Sequence, residues 1–302
     1  MSNIKLKRFI LLSLVLSLIL LSGCITIEIP YVNQSGQASS GIAVVEDVVD
    51  GDTINVRYQE TGEEETIRIY GIDTPEKSTR ATGTGEFGVR PTQEGRECLE
   101  DSAAGATQFG EKKLEGQQVR VVNTSGPNRG DFGRQLRYVI PENSNRTYGS
   151  MILDRGLARV YDDKGNFDNY TQYTTKEKSA KTSLNGLWSC SVHNGKLAIF
   201  EVRDDAMGSD IENPTEFIEI GNTGSEPVNL NSYTLQDKSG KTYSADGITI
   251  GSGETIQIHT CQSPEYIMNS SVWNHCSGIW NNGGDSVVVR NNSRTVLELR
   301  YE

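Results

Sequence analysis

The pattern of apolar residues changes character once along this chain, close to residue 190. Residues 41–190 open with short runs in which apolar and polar residues alternate, and continue with longer stretches at helical spacing. Residues 197–302 contain only short alternating runs, separated by Gly, Asn and Ser. A chain of 302 residues has room for two modest domains. We therefore predict an α+β domain over 41–190, a linker over 191–196 and an all-β domain over 197–302.

The first domain is predicted to place strands before helices. Strands are expected on both sides of the turn at Asp50-Gly51-Asp52, and then over 66–70, 119–123 and 134–140. Helices are expected over 93–115, briefly within 151–161, and over 169–187. Strands that precede helices packed on them favour a small α+β barrel.

The N-terminal segment is typical of an export signal. A basic stretch at residues 5–8 precedes an apolar run, Phe9 to Leu21, that is short for a membrane-spanning helix. This run ends in Leu21-Ser22-Gly23-Cys24, which resembles a bacterial lipobox, so Cys24 is predicted to carry lipid. An ordinary signal peptide, or an uncleaved anchor in which Cys24 is incidental, is the alternative.

The export signal sets the expected location of the protein. Residues 1–23 are predicted to be a lipoprotein signal peptide, and the polar residues that end the stretch 24–40 predict a flexible linker. The protein is then expected at the extracellular face of the cell membrane, held by an N-terminal lipid anchor, or secreted.

The chain contains five cysteines, Cys24, Cys98, Cys190, Cys261 and Cys276. None of them forms a C-x-x-C pair, which argues against a zinc site. If lipidation uses Cys24, four cysteines remain in an oxidising compartment. The simplest pairing joins Cys98 to Cys190 and Cys261 to Cys276, one disulfide in each domain. Four buried thiols are the alternative.

The charge of the chain constrains its partners. The formal net charge is −11 and the three basic residues of the leader are included in it, so the exported part is more acidic still. Nonspecific binding to nucleic acid depends on Lys and Arg that neutralise phosphates, so the bulk charge argues against it. Any chemistry on nucleic acid must therefore depend on a local basic cluster or a bound cation.

Three motifs carry a resemblance to a known family. They are Asp50-Gly51-Asp52-Thr53, the run Arg68-Ile-Tyr-Gly-Ile-Asp-Thr-Pro-Glu76, and Gly133-Arg134-x-Leu136. In this order they resemble the staphylococcal nuclease (thermonuclease-like) family, over about residues 41–190. The resemblance implies an OB-fold β-barrel with packed helices, and a Ca²⁺-dependent nuclease that acts on DNA and/or RNA.

The same residues suit phosphodiester hydrolysis on chemical grounds. Asp52 and Asp73 offer hard oxygen ligands which, together with the Thr74 carbonyl, suit Ca²⁺. Arg68 and Arg134 can each donate a planar, charged fork to phosphate oxygens. Glu76 is predicted to position or deprotonate the attacking water, and Asp50 to orient the site from behind the ligands. In the segment that follows, Lys77, Arg80 and Arg90 are expected to add basic character beside the site.

The second domain resembles the lamin-tail domain, an immunoglobulin-like sandwich. The runs that carry this resemblance are residues 216–237, 247–260 and 280–289. No catalytic constellation is visible in this domain, and adhesion or the binding of a ligand of unknown kind is the expected role. We expect a monomeric nuclease with an accessory domain. The alternatives are a catalytically inactive, nuclease-fold binding module and a surface adhesin.

Overall fold

A computed structural model describes residues 41–78, 83–130, 133–161, 167–204, 216–261, 270–273, 279–280 and 284–301. The predicted signal peptide and the linker that follows it, including Cys24, lie outside the described residues. The chain divides into two units, Met1–Val32 and Asn33–Glu302, and both predicted domains belong to the second unit. Among the described residues, no helix combines the length and the apolar character that crossing a membrane requires.

A closed five-stranded β-barrel forms the first domain. Its strands, with one further short pair, are β1 (Gly41–Val48), β2 (Thr53–Tyr58), β3 (Glu64–Ile69), β4 (Ile72–Asp73), β5 (Gln118–Asn123), β6 (Gln135–Pro141) and β7 (Arg159–Val160). The barrel order is β1-β2-β3-β6-β5, and pairing of β5 with β1 closes it. Among the described strands of the barrel, β3 and β6 pair in parallel and the other neighbours are antiparallel. Alternate residues such as Val45, Ile54 and Ile67 fill the interior, which confirms the predicted OB-type barrel.

In the described part of the chain, three α-helices and two 3₁₀-helices accompany the barrel. They are α1 (Gln93–Leu114), α2 (Tyr148–Asp154), α3 (Tyr170–Thr182), and the 3₁₀-helices Gly85–Phe87 and Gly186–Cys190. Helix α1 begins where the Thr92 side chain accepts a hydrogen bond from the Gly95 amide at 3.2 Å. Its buried face includes Leu99, Ala103 and Ala106, at the spacing that the sequence predicts.

The predicted helix over 169–187 is shorter in the structure. Helix α3 ends at Thr182 because Leu184 adopts a left-handed conformation, with φ of 52°. The chain then passes close to another segment, since a Cβ on Gly186 would lie 2.3 Å from the carbonyl oxygen of Gly156. Only glycine fits there, and the remainder of the predicted helix becomes a 3₁₀-helix.

The second domain consists of β-strands throughout its described part. They are β8 (Val192–His193), β9 (Leu197–Arg203), β10 (Phe217–Asn222), β11 (Val228–Asn229), β12 (Tyr233–Gln236), β13 (Thr242–Ser244), β14 (Thr249–Ile250), β15 (Thr255–His259), β16 (Ser270–Val272), β17 (Asp285–Asn291) and β18 (Arg294–Tyr301). One sheet has the order β16-β15-β10-β9-β8 and another the order β13-β12-β17-β18, with β11 and β14 as a separate pair. Residues of both larger sheets, such as Ile218 and Val287, share one core, as in a sandwich.

Residues 191–196, which were predicted to be a linker, do not form an extended spacer. Val192 belongs to β8, pairs with Ile199 of β9, and donates its amide to the Gly88 carbonyl at 2.7 Å. The Ser191 hydroxyl donates to the Phe87 carbonyl at 2.7 Å. The segment is ordered because Val192 is an apolar residue that packs into the core of the second domain.

The two domains share a further apolar cluster. It contains residues from both sides of the boundary: Phe87, Val89, Leu99, Ala180, Leu187 and Trp188 from the first domain, and Ala198 and Phe200 from β9. A disulfide joins Cys98 of α1 to Cys190, beside this cluster. Cys261 is also disulfide-bonded, and its predicted partner Cys276 lies outside the described residues.

Candidate active site

The turn at residues 50–52 is fixed between two helices. Its Gly51 packs so closely on α1 that an added Cβ would lie 2.6 Å from the Ala106 Cβ. The buried Tyr148 hydroxyl of α2 donates to the Gly51 carbonyl at 2.9 Å. Within the turn, the Asp50 carboxylate accepts the Asp52 amide at 3.1 Å. This turn therefore points Asp52 into the protein at a defined angle.

Asp52 is a fully buried carboxylate, with 1% of its surface exposed. One of its oxygens accepts both the amide and the hydroxyl of Thr74, at 2.8 and 3.0 Å. The other oxygen accepts from the Thr53 hydroxyl and pairs with Arg68. Burial raises the pKa of Asp52 to about 8, although the Arg68 guanidinium opposes the shift.

Arg68 bridges two carboxylates, one from the turn before β2 and one from β4. Its Nη1 donates to Asp52 and its Nη2 to Asp73 Oδ1, the latter at 2.6 Å. The second oxygen of Asp73 accepts from Arg159 Nε at 2.9 Å. Burial alone would raise the pKa of Asp73, but Arg159 and Arg68 together hold it below its usual range.

Arg134 and Glu76 complete the arrangement. The strand register sets Thr53 opposite Arg68, and Arg68 opposite Leu136. Arg134 precedes β6 and its Nη1 donates to the Thr53 hydroxyl at 3.3 Å, so it lies beside Asp52. Glu76 has an exposed side chain, and its pKa is raised by partial loss of water and by repulsion from nearby carboxylates. Those carboxylates are Asp50 and Asp73.

The structure thus brings the seven predicted site residues to one end of the barrel: Asp50, Asp52, Arg68, Asp73, Thr74, Glu76 and Arg134. Of the basic residues expected beside them, Lys77 donates to the Val49 carbonyl next to Asp50. Arg90 donates its Nε to the Glu298 carbonyl of β18 at 3.2 Å, a contact with the second domain. Arg80 lies outside the described residues.

Sequence reasoning missed Arg159. This residue lies opposite Asp73 in the β4–β7 pair, and its guanidinium contacts three carboxylates. They are Asp73, Glu86 at 2.6 Å and Glu201 at 3.4 Å. A basic residue between the buried Ala158 and Val160 gives no local sign of this role, because its partners come from distant parts of the chain.

The donor set at the site suits a hard cation. Among the described residues, no cluster of three or more Asp, Glu, His or Cys side chains is arranged to hold a metal ion. Asp52 and Asp73 nevertheless converge on a single guanidinium, so two carboxylates already share one positive partner. Their oxygens are of the kind that Ca²⁺ accepts. The Thr74 carbonyl, predicted as a further ligand, belongs to a residue whose amide and hydroxyl both contact Asp52.

Comparison with known proteins identifies both domains. Residues 66–190 match the family described as staphylococcal nuclease homologue, and residues 191–302 match the lamin tail domain. An uncharacterized protein of Methanocaldococcus jannaschii is 33% identical over 148 residues, 48% of this chain and 70% of that protein. An uncharacterized protein of Bacillus anthracis is 29% identical over 143 residues, 47% of this chain and 58% of its own length. The thermonuclease of Staphylococcus hyicus is 24% identical over 180 residues, 57% of this chain and 95% of that enzyme.

A closed barrel that gathers buried acids and arginines at one end defines a nuclease-fold domain, here followed by an all-β domain. The chain belongs to the staphylococcal nuclease homologue family and carries a lamin tail domain after its nuclease-fold domain. The resemblance that the three motifs predict is therefore confirmed.

Proposed function

We propose that this protein is a Ca²⁺-dependent phosphodiesterase that hydrolyses DNA and/or RNA. One observation carries the proposal. Arg68 and Arg134 lie beside the proposed Ca²⁺ ligands, at the end of the barrel where Glu76 also lies. Two arginines that act together with a bound cation would explain how a chain of net charge −11 can act on a polyanion.

Each residue has a distinct task in the proposed reaction. Arg68 and Arg134 donate hydrogen bonds to the phosphoryl oxygens and stabilise the charge that develops there. Glu76 accepts a proton from the attacking water, a task for which a raised pKa makes a carboxylate better suited. Asp52, Asp73 and the Thr74 carbonyl would hold the Ca²⁺, which when bound would supply charge neutralisation at the phosphate.

Arg68 becomes more available to phosphate when Asp52 gains another positive partner, since Asp73 already pairs with Arg159 as well. In the structure it is neutralised by Asp52 and Asp73 together. Substrate binding and cation binding should therefore support each other. This expected coupling is the reason to vary Ca²⁺ and substrate independently when the activity is measured.

The first experiment measures release of acid-soluble nucleotides from single-stranded DNA and RNA by the unit Asn33–Glu302, with Ca²⁺ or with a chelator. Glu76→Gln and Arg134→Ala should each lower turnover by about 10²- to 10³-fold, because each removes a group that acts in the transition state. Arg57→Ala is the control, since Arg57 is exposed on the barrel and pairs with Glu46 and Glu64.

The outcomes separate the proposed enzyme from its alternatives. Calcium-dependent turnover that survives in the Arg57 control and collapses in the two site variants supports the proposal. A folded wild type that shows no turnover with Ca²⁺ would overturn it, and retention of oligonucleotides without cleavage would then favour a binding module.

We also propose that the protein acts outside the cell, anchored through lipid on Cys24, as a monomer. The basic stretch, the short apolar run and the Leu-Ser-Gly-Cys sequence support this proposal. Wild type expressed in a bacterium should incorporate labelled palmitate and Cys24→Ser should not; equal labelling of both would exclude the anchor. The lamin-tail domain is proposed to bind a partner or surface whose nature is open.

A further inference from the structure

The strongest unexplained feature is a line of buried charges that crosses the boundary between the domains. It starts at Asp73 of the site, continues through Arg159, and reaches Glu201 of β9 in the lamin-tail domain. Glu201 then accepts from Arg203 of its own domain at 3.0 Å. Positive and negative groups alternate along this line, as a stable arrangement of buried charges requires.

Arg159 is the connecting element. Only 7% of its side chain is exposed, and the backbone pairing of β4 with β7 sets it directly across from Asp73. Its guanidinium stacks near the Phe87 ring, 5.3 Å from the centroid, within the cluster that both domains share. A planar fork held in this way fixes the plane and angle of the carboxylate that it binds.

Asp73 needs such support because only one of its oxygens faces the site. Oδ1 contacts Arg68, whereas Oδ2 is occupied by Arg159 at 2.9 Å. If Arg159 shifted, the carboxylate could rotate and Oδ1 would lose its place beside Asp52. Groups that hold a ligand from behind commonly influence metal affinity tenfold to a hundredfold.

We propose that Glu201, a residue of the lamin-tail domain, is a positioning residue of the nuclease site that acts through Arg159 on Asp73. The lamin-tail domain then contributes directly to cation and phosphate binding by the neighbouring domain. This inference rests on the proposed Ca²⁺-dependent function, and it adds a residue that the motifs of the nuclease family do not contain.

The chain offers a matched control on the adjacent strand. Glu219 of β10 lies directly across from Glu201 in the β9–β10 pair, and it is equally buried. It also accepts from a cation of the first domain, Lys181, at 2.6 Å. Lys181 also pairs with Glu177 and lies over the Trp188 ring. Glu177 in turn accepts the Val160 amide at 2.8 Å, so this pair contacts β7 through the backbone and not through the Arg159 guanidinium. Each of the two glutamates therefore makes one buried ion pair across the domain boundary.

The test measures Ca²⁺ affinity of the unit Asn33–Glu302 by titration calorimetry, apart from any turnover. Glu201→Gln should weaken Ca²⁺ binding by about tenfold or more, whereas Glu219→Gln should stay within about twofold of the wild type. Both variants lose a buried charge, and either could be destabilised. The melting temperature of each variant therefore distinguishes a loss of Ca²⁺ affinity from a loss of folding.

A double-mutant cycle tests the route through Arg159. Arg159→Lys keeps the positive charge but loses the fork, so it should itself weaken Ca²⁺ binding. In that background, Glu201→Gln should add little, since its effect depends on the guanidinium. Additive effects of the two substitutions would contradict the proposed route.

Each outcome decides the inference. Wild-type affinity in a folded Glu201→Gln variant, or equal losses in the two glutamate variants, would overturn it. A wild type that binds Ca²⁺ but cleaves no nucleic acid would contradict the proposed nuclease while leaving the positioning result valid. A wild type without measurable Ca²⁺ affinity would remove the site that Glu201 is proposed to support, and would end the inference.

Discussion

At the scale of single residues, the two acids that face Arg68 are held in opposite electrostatic conditions. Asp52 is surrounded by neutral donors and one guanidinium, and burial raises its pKa to about 8. Asp73 lies between two guanidinium groups, which keep its pKa low despite burial. The charge of Asp73 is thus fully compensated without a cation. Asp52 has a single guanidinium partner and still lacks positive charge. This asymmetry is the reason that we propose a cation site at Asp52 and Asp73 rather than a closed ion-pair network.

A buried histidine of the second domain should control part of the response to acid. His259 of β15 is buried against the Phe217 ring, and its Nε2 lies 3.2 Å from the Gln257 side chain. Burial, reinforced by the charge of Arg203, lowers its pKa to about 4. The folded protein therefore resists protonation of His259, and stability that is present above pH 6.5 is lost as the pH falls towards 4.

We expect the free energy of unfolding of the wild type to fall by about 3 kcal/mol more than that of His259→Gln between pH 7 and pH 4. Denaturant titrations of both proteins at several pH values measure this difference. Several carboxyl groups with lowered pKa values also reduce the stability in acid. Both proteins contain these groups, so their contributions cancel in the comparison. Parallel pH curves would show that His259 does not resist protonation.

The sequence could predict the residues of the site but not everything that holds them. Asp52, Arg68, Asp73 and Glu76 lie in short motifs whose order alone indicates a phosphate-directed site. Glu201 is different, because the run 197–203 would ordinarily place alternate residues in water. In the structure all but the last residue of β9 are buried, since the first domain covers the face that a lone sandwich would expose. No local pattern carries that information.

At the scale of elements, the helices and strands follow closely from the alternation of apolar and polar residues and from apolar residues at helical spacing. The strands of the barrel and helix α1 start and end within a residue or two of their predicted positions, because each pairs or packs along one continuous face. The differences come from contacts between elements. Helix α3 is cut short by the close approach of Gly186 to Gly156, and the predicted linker becomes β8 because β9 offers it an edge.

The disulfide between α1 and the 3₁₀-helix that ends at Cys190 should be a major source of stability. It spans 92 residues of sequence, so it removes many conformations from the unfolded chain. We expect Cys98→Ala/Cys190→Ala to lower the free energy of unfolding by about 4 kcal/mol, measured in guanidinium. Wild type treated with a reductant that opens this bond is the control. A double variant as stable as the untreated wild type would show that folded contacts alone hold these elements together.

At the scale of the whole molecule, the two domains should unfold together. They share the apolar cluster around Trp188 and two buried ion pairs, Arg159–Glu201 and Lys181–Glu219. Separating the domains would expose apolar surface and leave charges without partners, which is costly. Differential scanning calorimetry of the wild type should therefore give one transition, and two well-separated transitions would contradict this expectation.

Gly88 allows the closest approach at this boundary. Its φ is 63°, and an added Cβ would lie 2.0 Å from the carbonyl oxygen of Ile199 in β9. Gly88→Ala should lower the free energy of unfolding by about 3 kcal/mol or more, from backbone strain and the clash together, and should shift the single transition as a whole. Gly62→Ala is the control, because Gly62 has a similar φ of 72° and nothing within 4 Å of the added atom. Equal losses would assign the effect to backbone strain alone.

The contact of Glu201 with Arg159 limits how the gene for such a protein can evolve. A lamin-tail segment taken from another protein would have to bring an acid to the same position, or the Arg159 guanidinium would lose one of its three carboxylate partners. Exchange of the lamin-tail domain by recombination at residue 190 is therefore constrained. Two domains joined in tandem without a shared ion pair would not be subject to this constraint. The two halves must be inherited as a matched pair, and substitutions at positions 159 and 201 should covary among descendants.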